Sequence, residues 1–226
     1  YYPAKDENNI FRLGVATSKT PQGPFTPQKN PMKGSYSIDP AVFIDDDGSA
    51  YIYFGGIWGG QLQRWENGSY DKYGSLKDLG VPDNPAILPR MAKLTDNMLE
   101  FAEEVKSIEI LDKSGKPILT KDLERRFFEA PWIHKHNGIY YLSYSTGDTH
   151  LLAYATSDNP YGPFIYQGVL NEPVQGWTNH HSTIKVGNEW FLFYHDIEIS
   201  GKTHLRNVKF TTFRHNEDGT IDPTKT

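Results

Sequence analysis

The chain has no cysteine among its 226 residues, which excludes disulfide staples and thiolate chemistry. It has no apolar run approaching the length of a membrane-spanning helix. It lacks a basic excess: 23 Lys and Arg stand against 28 Asp and Glu, the net charge is −5 and the pI is near 5.9. That balance argues against a nucleic-acid surface, which needs a basic stripe. There is no phosphate-binding glycine loop, no Gly-x-Ser-x-Gly elbow and no zinc-ligand spacing. No signal peptide leads the chain, but Tyr1-Tyr2-Pro3 reads as the end of a strand, so an upstream segment is expected. Cytoplasm, periplasm and secretion all stay open.

Aromatic and turn-forming residues are plentiful: Tyr 14, Phe 12 and Trp 5, with Gly 20 and Pro 15. A turn former in almost every short stretch favours many short strands over long helices. The segment Phe127–Thr146 shows the pattern best. Glu129 sits beside Phe128, Pro131 and Trp132, and Asn137-Gly138 then separates two apolar runs. Asn-Gly in that setting is a strong hairpin signal. Turn geometry requires no Glu at the mouth of that hairpin. Burial among those neighbours would raise its pKa and hold it protonated, as a general acid must be.

The unit recurs. Asp39 lies nine residues before Gly48 of Asp47-Gly48, as Glu129 lies nine before Gly138. A third copy, about two residues shorter, runs from His180-His181 through Gly187-Asn188 to Trp190–Tyr194. A second repeat, Ala-Thr-Ser-x-x-Pro-x-Gly-Pro-Phe, occurs at 16–25 and 155–164. It reads as a strand, a turn and the start of an outer edge strand. Strands are expected at Phe11–Thr17, Ile38–Ile44, Ala50–Gly55, Gln61–Trp65, Met91–Leu94, Ser107–Leu111, His180–Val186, Glu189–His195 and Leu205–Phe213, with Glu66–Arg90 as a surface loop. Units of four short strands with repeated aromatic motifs indicate an all-β fold, a β-propeller. Rotational pseudo-symmetry would bring Asp39, Glu129 and one of the two histidines to a common axis. A two-sheet sandwich is the alternative, although it does not need polar residues at matched inner positions.

Two carboxyls in an aromatic-lined funnel suggest glycoside hydrolysis. Asp39 alone could be a turn residue before Pro40, but the matched Glu129 favours a functional reading. Glu129 could also pair with Arg125 or Arg126. Trp58, among the glycines of 55–60, could be a sugar platform or a packed core residue. His180 and His181 would point to opposite strand faces, so at most one reaches the axis. His150 and His204 are weaker candidates. Asp45-Asp46-Asp47-Gly48 lacks the later ligands of a calcium loop and reads as an acidic turn.

The motifs Ser37–Gly48, Phe128–Trp132 and Asn179–Ser182 together resemble glycoside hydrolase family 43, over essentially the whole chain and in order. The xylosidase/arabinofuranosidase branch is most similar, judged by Gly55–Arg64 and Ser145–His150. The resemblance implies a five-bladed propeller, of which residues 1–226 would form a single catalytic-type domain with about three and a half to four blades. It implies removal of terminal xylose or arabinofuranose from xylan, arabinoxylan or arabinan by an inverting mechanism. Glu129 would be the general acid, and Asp39 the residue that orients it and raises its pKa. Arg206 would line the substrate pocket, together with Trp58 and His180. No cofactor would be required, with calcium at the central axis, held through water near His180, as an option. Partners would be xylo- or arabino-oligosaccharides, with no nucleic acid or membrane. The family's base, an Asp of the first blade, finds no counterpart here. The first blade would be lacking and catalysis impaired unless Asp6, Glu7, Asp148 or another chain substitutes. A carbohydrate-binding propeller without turnover is the alternative. An open ring would expose sheet edges and favour a homo-oligomer.

Overall fold

The computed structural model describes residues 1–66, 68–74 and 83–226. Sixteen strands are present among them. Two short pairs open the chain: β1 (Tyr2–Lys5) with β2 (Phe11–Gly14), and β3 (Ala16–Thr17) with β4 (Thr26–Pro27). A four-stranded antiparallel sheet follows, made of β5 (Ala41–Ile44), β6 (Ala50–Phe54), β7 (Arg90–Lys93) and β8 (Lys106–Ser107). The largest sheet contains β10 (Glu129–His136), β11 (Ile139–Ser145), β12 (Leu152–Ser157) and β13 (Phe164–Asn171), edged by β9 (Ile110–Leu111). The last sheet has three strands, β14 (His181–Val186), β15 (Glu189–Asp196) and β16 (Asn207–Phe213). The leading strands β5, β10 and β14 lie beside one another, so the sheets radiate from a common centre. This is a partial propeller.

The aromatic strands are explained by burial on both faces. Side chains alternate across a strand, so a sheet packed on both sides needs apolar residues at every position. In β6, Tyr51 and Tyr53 face the β10–β13 sheet, while Ala50, Ile52 and Phe54 face the opening strands. In β12, Ala153 and Ala155 pack toward β5–β8, whereas Leu152 and Tyr154 pack toward β14–β16. The last sheet keeps the alternation: Leu192 and Tyr194 are buried, while Ile184, Phe193, Val208 and Phe210 lie on its open face.

Several boundaries differ from expectation. Gln61–Trp65 is not a strand: Gln61 adopts φ 67°, and Leu62–Trp65 form a 3-10 turn behind a first one at Trp58–Gly60. The strand expected from Ile38 begins at Ala41, because Ser37 and Asp39 are both left-handed, with φ 65° and 57°. The run 107–111 is split between two sheets. In the Ala-Thr-Ser repeat, both copies turn through a cis Gly-Pro bond. The second copy does not end on a free edge, because Phe164 and Ile165 pair in parallel with β9. Of the expected loop at 66–90, residues 67 and 75–82 lie outside the described residues.

Candidate active site

Glu129 opens β10, and Ser145 faces it at the end of β11. The loops before β5, β10 and β14 and those after β6, β11 and β15 therefore gather at one end of the array. Residues 37–40, 55–66, 127–128, 146–151, 172–180 and 197–206 all contribute to this mouth.

The Asp39 loop is pinned in place. The Ser37 hydroxyl donates to the Gly60 carbonyl at 2.8 Å and accepts from the Gly56 amide at 3.0 Å. The Gly55 amide donates to the Ile38 carbonyl at 2.8 Å. A Cβ at Gly56 or Gly60 would strike the Ile38 side chain at 2.7–2.8 Å. The glycines on either side of Trp58 thus make room for the Ile38 side chain. Gly56 also bridges to Glu129, and the Ile57 amide donates to the Phe128 carbonyl.

Between Glu129 and Trp132 the β10–β11 register shifts, and Ala130 takes a left-handed φ of 57°. Bulges of this kind re-aim a side chain or a backbone group. Here the Ala130 amide points across the centre and donates to Asp39 Oδ2 at 3.2 Å. On the other side of Asp39, His180 Nδ1 lies 3.7 Å from Oδ1. The His180 amide donates to His195 Nε2 at 3.0 Å, so that nitrogen carries no proton. His181 turns away into the core, its Nε2 2.6 Å from Ser143 Oγ, as strand alternation requires. Thr178 is buried in a left-handed conformation, φ 54°, and its side chain bonds to the Glu129 carboxyl.

The electrostatics separate the two carboxyls. Burial pushes Asp39 up to about 6, opposed by the Ala130 amide and the Arg206 charge. Glu129 is pushed up to about 7, first by burial and then by the Asp39 charge, against Thr178, His180 and Arg206. Asp39 ionises while Glu129 is still neutral, so it meets no repulsion from it. Glu129 must then ionise beside an existing anion. His180 and His195 are both lowered by burial, His195 to about 4, so both are neutral near pH 7.

The structure thus brings together Asp39, Glu129, His180 and Arg206. Trp58 sits on the loop that bridges to Glu129 and is 38% exposed, which argues against a buried core role. Arg125 pairs with Asp122, and Arg126 lies over the Phe128 ring at 5.9 Å. Asp45 is engaged by Lys135 and Tyr140 and belongs to a hairpin turn. Asp6 is spent on its own turn and on Arg12, while Glu7 and Asp148 are exposed. Among the described residues, no group of three or more His, Asp or Glu is arranged to hold a metal ion. A hard cation draws about six to eight oxygens, so direct ligation does not fit this mouth. Sequence reasoning missed the Ala130 amide, Thr178 and His195. The first is a backbone group turned by a bulge and leaves no side-chain signal. Thr178 lies beside the Asn-His-His-Ser motif, the one signal that could have found it.

A propeller-type array that brings two buried carboxyls, an imidazole and a guanidinium to one mouth carries the groups that acid-catalysed hydrolysis uses. Residues 1–221 match the model of the glycosyl hydrolases family 43. The chain belongs to that family. It is 56% identical over 224 residues to a xylosidase/arabinosidase of Bacteroides ovatus, covering 98% of this chain and 67% of the relative. It is also 56% identical over 226 residues to a xylosidase/arabinosidase of Humicola insolens, covering 98% and 69%. A β-xylosidase/α-arabinofuranosidase from a compost metagenome, solved with xylotriose in a calcium-free form, superposes with TM-score 0.97 at 61% identity. That match covers 100% of this chain and 69% of the other. A family enzyme of Xanthomonas citri complexed with xylose gives TM-score 0.96 at 51% identity, covering 100% and 67%. The chain thus spans about two thirds of the length of these proteins.

Proposed function

We propose that residues 1–226 act as one propeller-type catalytic domain that removes terminal xylose or arabinofuranose from hemicellulose by acid/base hydrolysis. The observation that carries the reading is Glu129: a carboxyl held protonated up to about pH 7 at the mouth of the array. In this role it protonates the departing glycosidic oxygen. Asp39 stays ionised, raises the pKa of Glu129 through its charge and is itself fixed by the Ala130 amide. Arg206 and His180 line the terminal-sugar pocket, with Trp58 at its rim. Inversion further requires a carboxylate that activates water on the opposite face of the sugar. The hydrogen bond to Ala130 and the link to Glu129 support an orienting role for Asp39 over that of base.

Relatives matched over the same span carry glycosidase names, which favours turnover over sugar binding alone. The reaction runs on side chains and water. The donors at the axis suit an ion held through water near His180 rather than ligated directly. The test is release of xylose from xylobiose and of arabinose from arabinoxylan oligosaccharides. Turnover that disappears in Glu129→Gln supports the reading, and turnover untouched by that change sinks it.

A further inference from the structure

His195 has no part in the acid/base chemistry proposed for the mouth, yet it touches a residue that does. It is the penultimate residue of β15, opposite Val208 of β16. The β14–β15 ladder ends at the pair His181 and Tyr194. One more step in that register would set His180 opposite His195. The chain leaves the sheet there instead, with Thr178 left-handed at φ 54°. A backbone amide released from a ladder needs another acceptor. For His180 that acceptor is a side chain, the His195 ring, whose Nε2 receives the amide at 3.0 Å. Burial, then the Arg206 charge, keep this imidazole neutral. A neutral ring that accepts on Nε2 carries its proton on Nδ1.

The His180 side chain itself is loosely held. It is 44% exposed, and its 3.7 Å approach to Asp39 is too long for a hydrogen bond. The preceding amide, that of Asn179, reaches Ser145 Oγ at 3.5 Å, the limit of such a bond. The bond to His195 is the shorter of these two ties. Its effect reaches both carboxyls through the chain. His180 stands beside Asp39, and Thr178, two residues earlier, bonds to the Glu129 carboxyl. We propose that His195 is a positioning residue: its Nε2 holds the backbone of 178–180 and so sets where His180 meets the terminal sugar. This inference rests on the glycosidase reading of the site.

The test replaces the ring in three ways. His195→Gln keeps an acceptor near the Nε2 position, His195→Leu fills the space without one, and His195→Asn falls short of it. Calorimetric titration with xylose in the Glu129→Gln background reads the effect. Leu and Asn should weaken xylose roughly tenfold, while Gln stays within about threefold of the parent. Equal weakening by all three would show that the acceptor does not matter and overturn the proposal, as would a Leu variant that binds like the parent. Nitrogen NMR of the histidine rings gives a reading independent of sugar: His195 should hold its proton on Nδ1, and a proton on Nε2 overturns the proposal by itself. If Glu129→Gln alone binds no xylose, the glycosidase reading falls and this one with it. If it binds xylose and every His195 variant binds it alike, this inference falls alone. Melting temperatures identify a Leu variant that fails to fold, and the Gln and Asn pair then carries the comparison.

Discussion

Asp39 and the Ala130 amide are joined by a 3.2 Å hydrogen bond across 91 residues of chain. Both residues are left-handed, with φ 57° each. Non-glycine residues at positive φ cost free energy and persist where surrounding structure over-determines them. Here the two irregularities face one another, and together they place one carboxylate beside another.

The first prediction concerns rate against pH. Glu129 must be protonated, so kcat/KM should fall above about pH 7, tenfold per unit. Asp39→Asn removes the negative charge that raises Glu129. Its alkaline limb should therefore move to lower pH, with an overall loss of activity. A limb that stays in place would show that Asp39 does not act on the pKa of the acid.

Stability should respond to the same shift. The native pKa of Glu129 is raised, so ionisation costs stability as pH rises from about 4.5 through about 7. Glu129→Gln should therefore exceed the parent by about 2–3 kcal/mol at pH 8 and match it near pH 4. Denaturant melts at the two pH values check this.

Acid should loosen the contact between the last two sheets. His134 and His215 face each other through their Nε2 atoms at 3.0 Å, and His136 stacks on His215 at 4.1 Å. Burial lowers all three, His215 to about 4; neighbouring imidazoles add to the lowering of His134 and His215, and Lys185 to that of His136 and His215. Depressed imidazoles contribute stability above their unfolded pKa of about 6.5, and it is lost as pH falls toward 4. His215→Phe should flatten the acid side of the stability profile. Melting temperatures measured between pH 7 and pH 4 decide the matter.

Gly147 guards the acid sterically. It sits at φ 81°, and a Cβ there would lie 2.3 Å from the Phe128 ring. Gly147→Ala should cost about 2–4 kcal/mol from strain and overpacking. Because Phe128 precedes Glu129, kcat should fall as well. Thermal melts with steady-state kinetics test both, and an alanine variant of parent stability would sink the steric account.

The strands were legible where alternation was strong. The β10–β11 hairpin at Asn137-Gly138 has both turn residues at positive φ, as its sequence implies. The failures fell where backbone irregularity beats pattern. Gln61–Trp65 has a strand-like composition, yet left-handed Gln61 starts a 3-10 turn. The repeated hairpins singled out Asp39, Glu129 and the His180-His181 pair, and the family resemblance singled out Arg206; Asp39, Glu129, His180 and Arg206 lie close enough in the fold for their charges to act on one another. Thr178, His195 and the Ala130 amide were not singled out, because their roles depend on contacts between distant segments.

The sequence by itself determined the alternation of apolar side chains, the turns and the residue types at the repeated inner positions. Local propensity and side-chain periodicity suffice for these. The tertiary structure decided which carboxyl ionises first, which histidine faces the mouth and which backbone amide turns inward. Those outcomes depend on desolvation and on charges brought close by folding, and separation along the chain does not encode either.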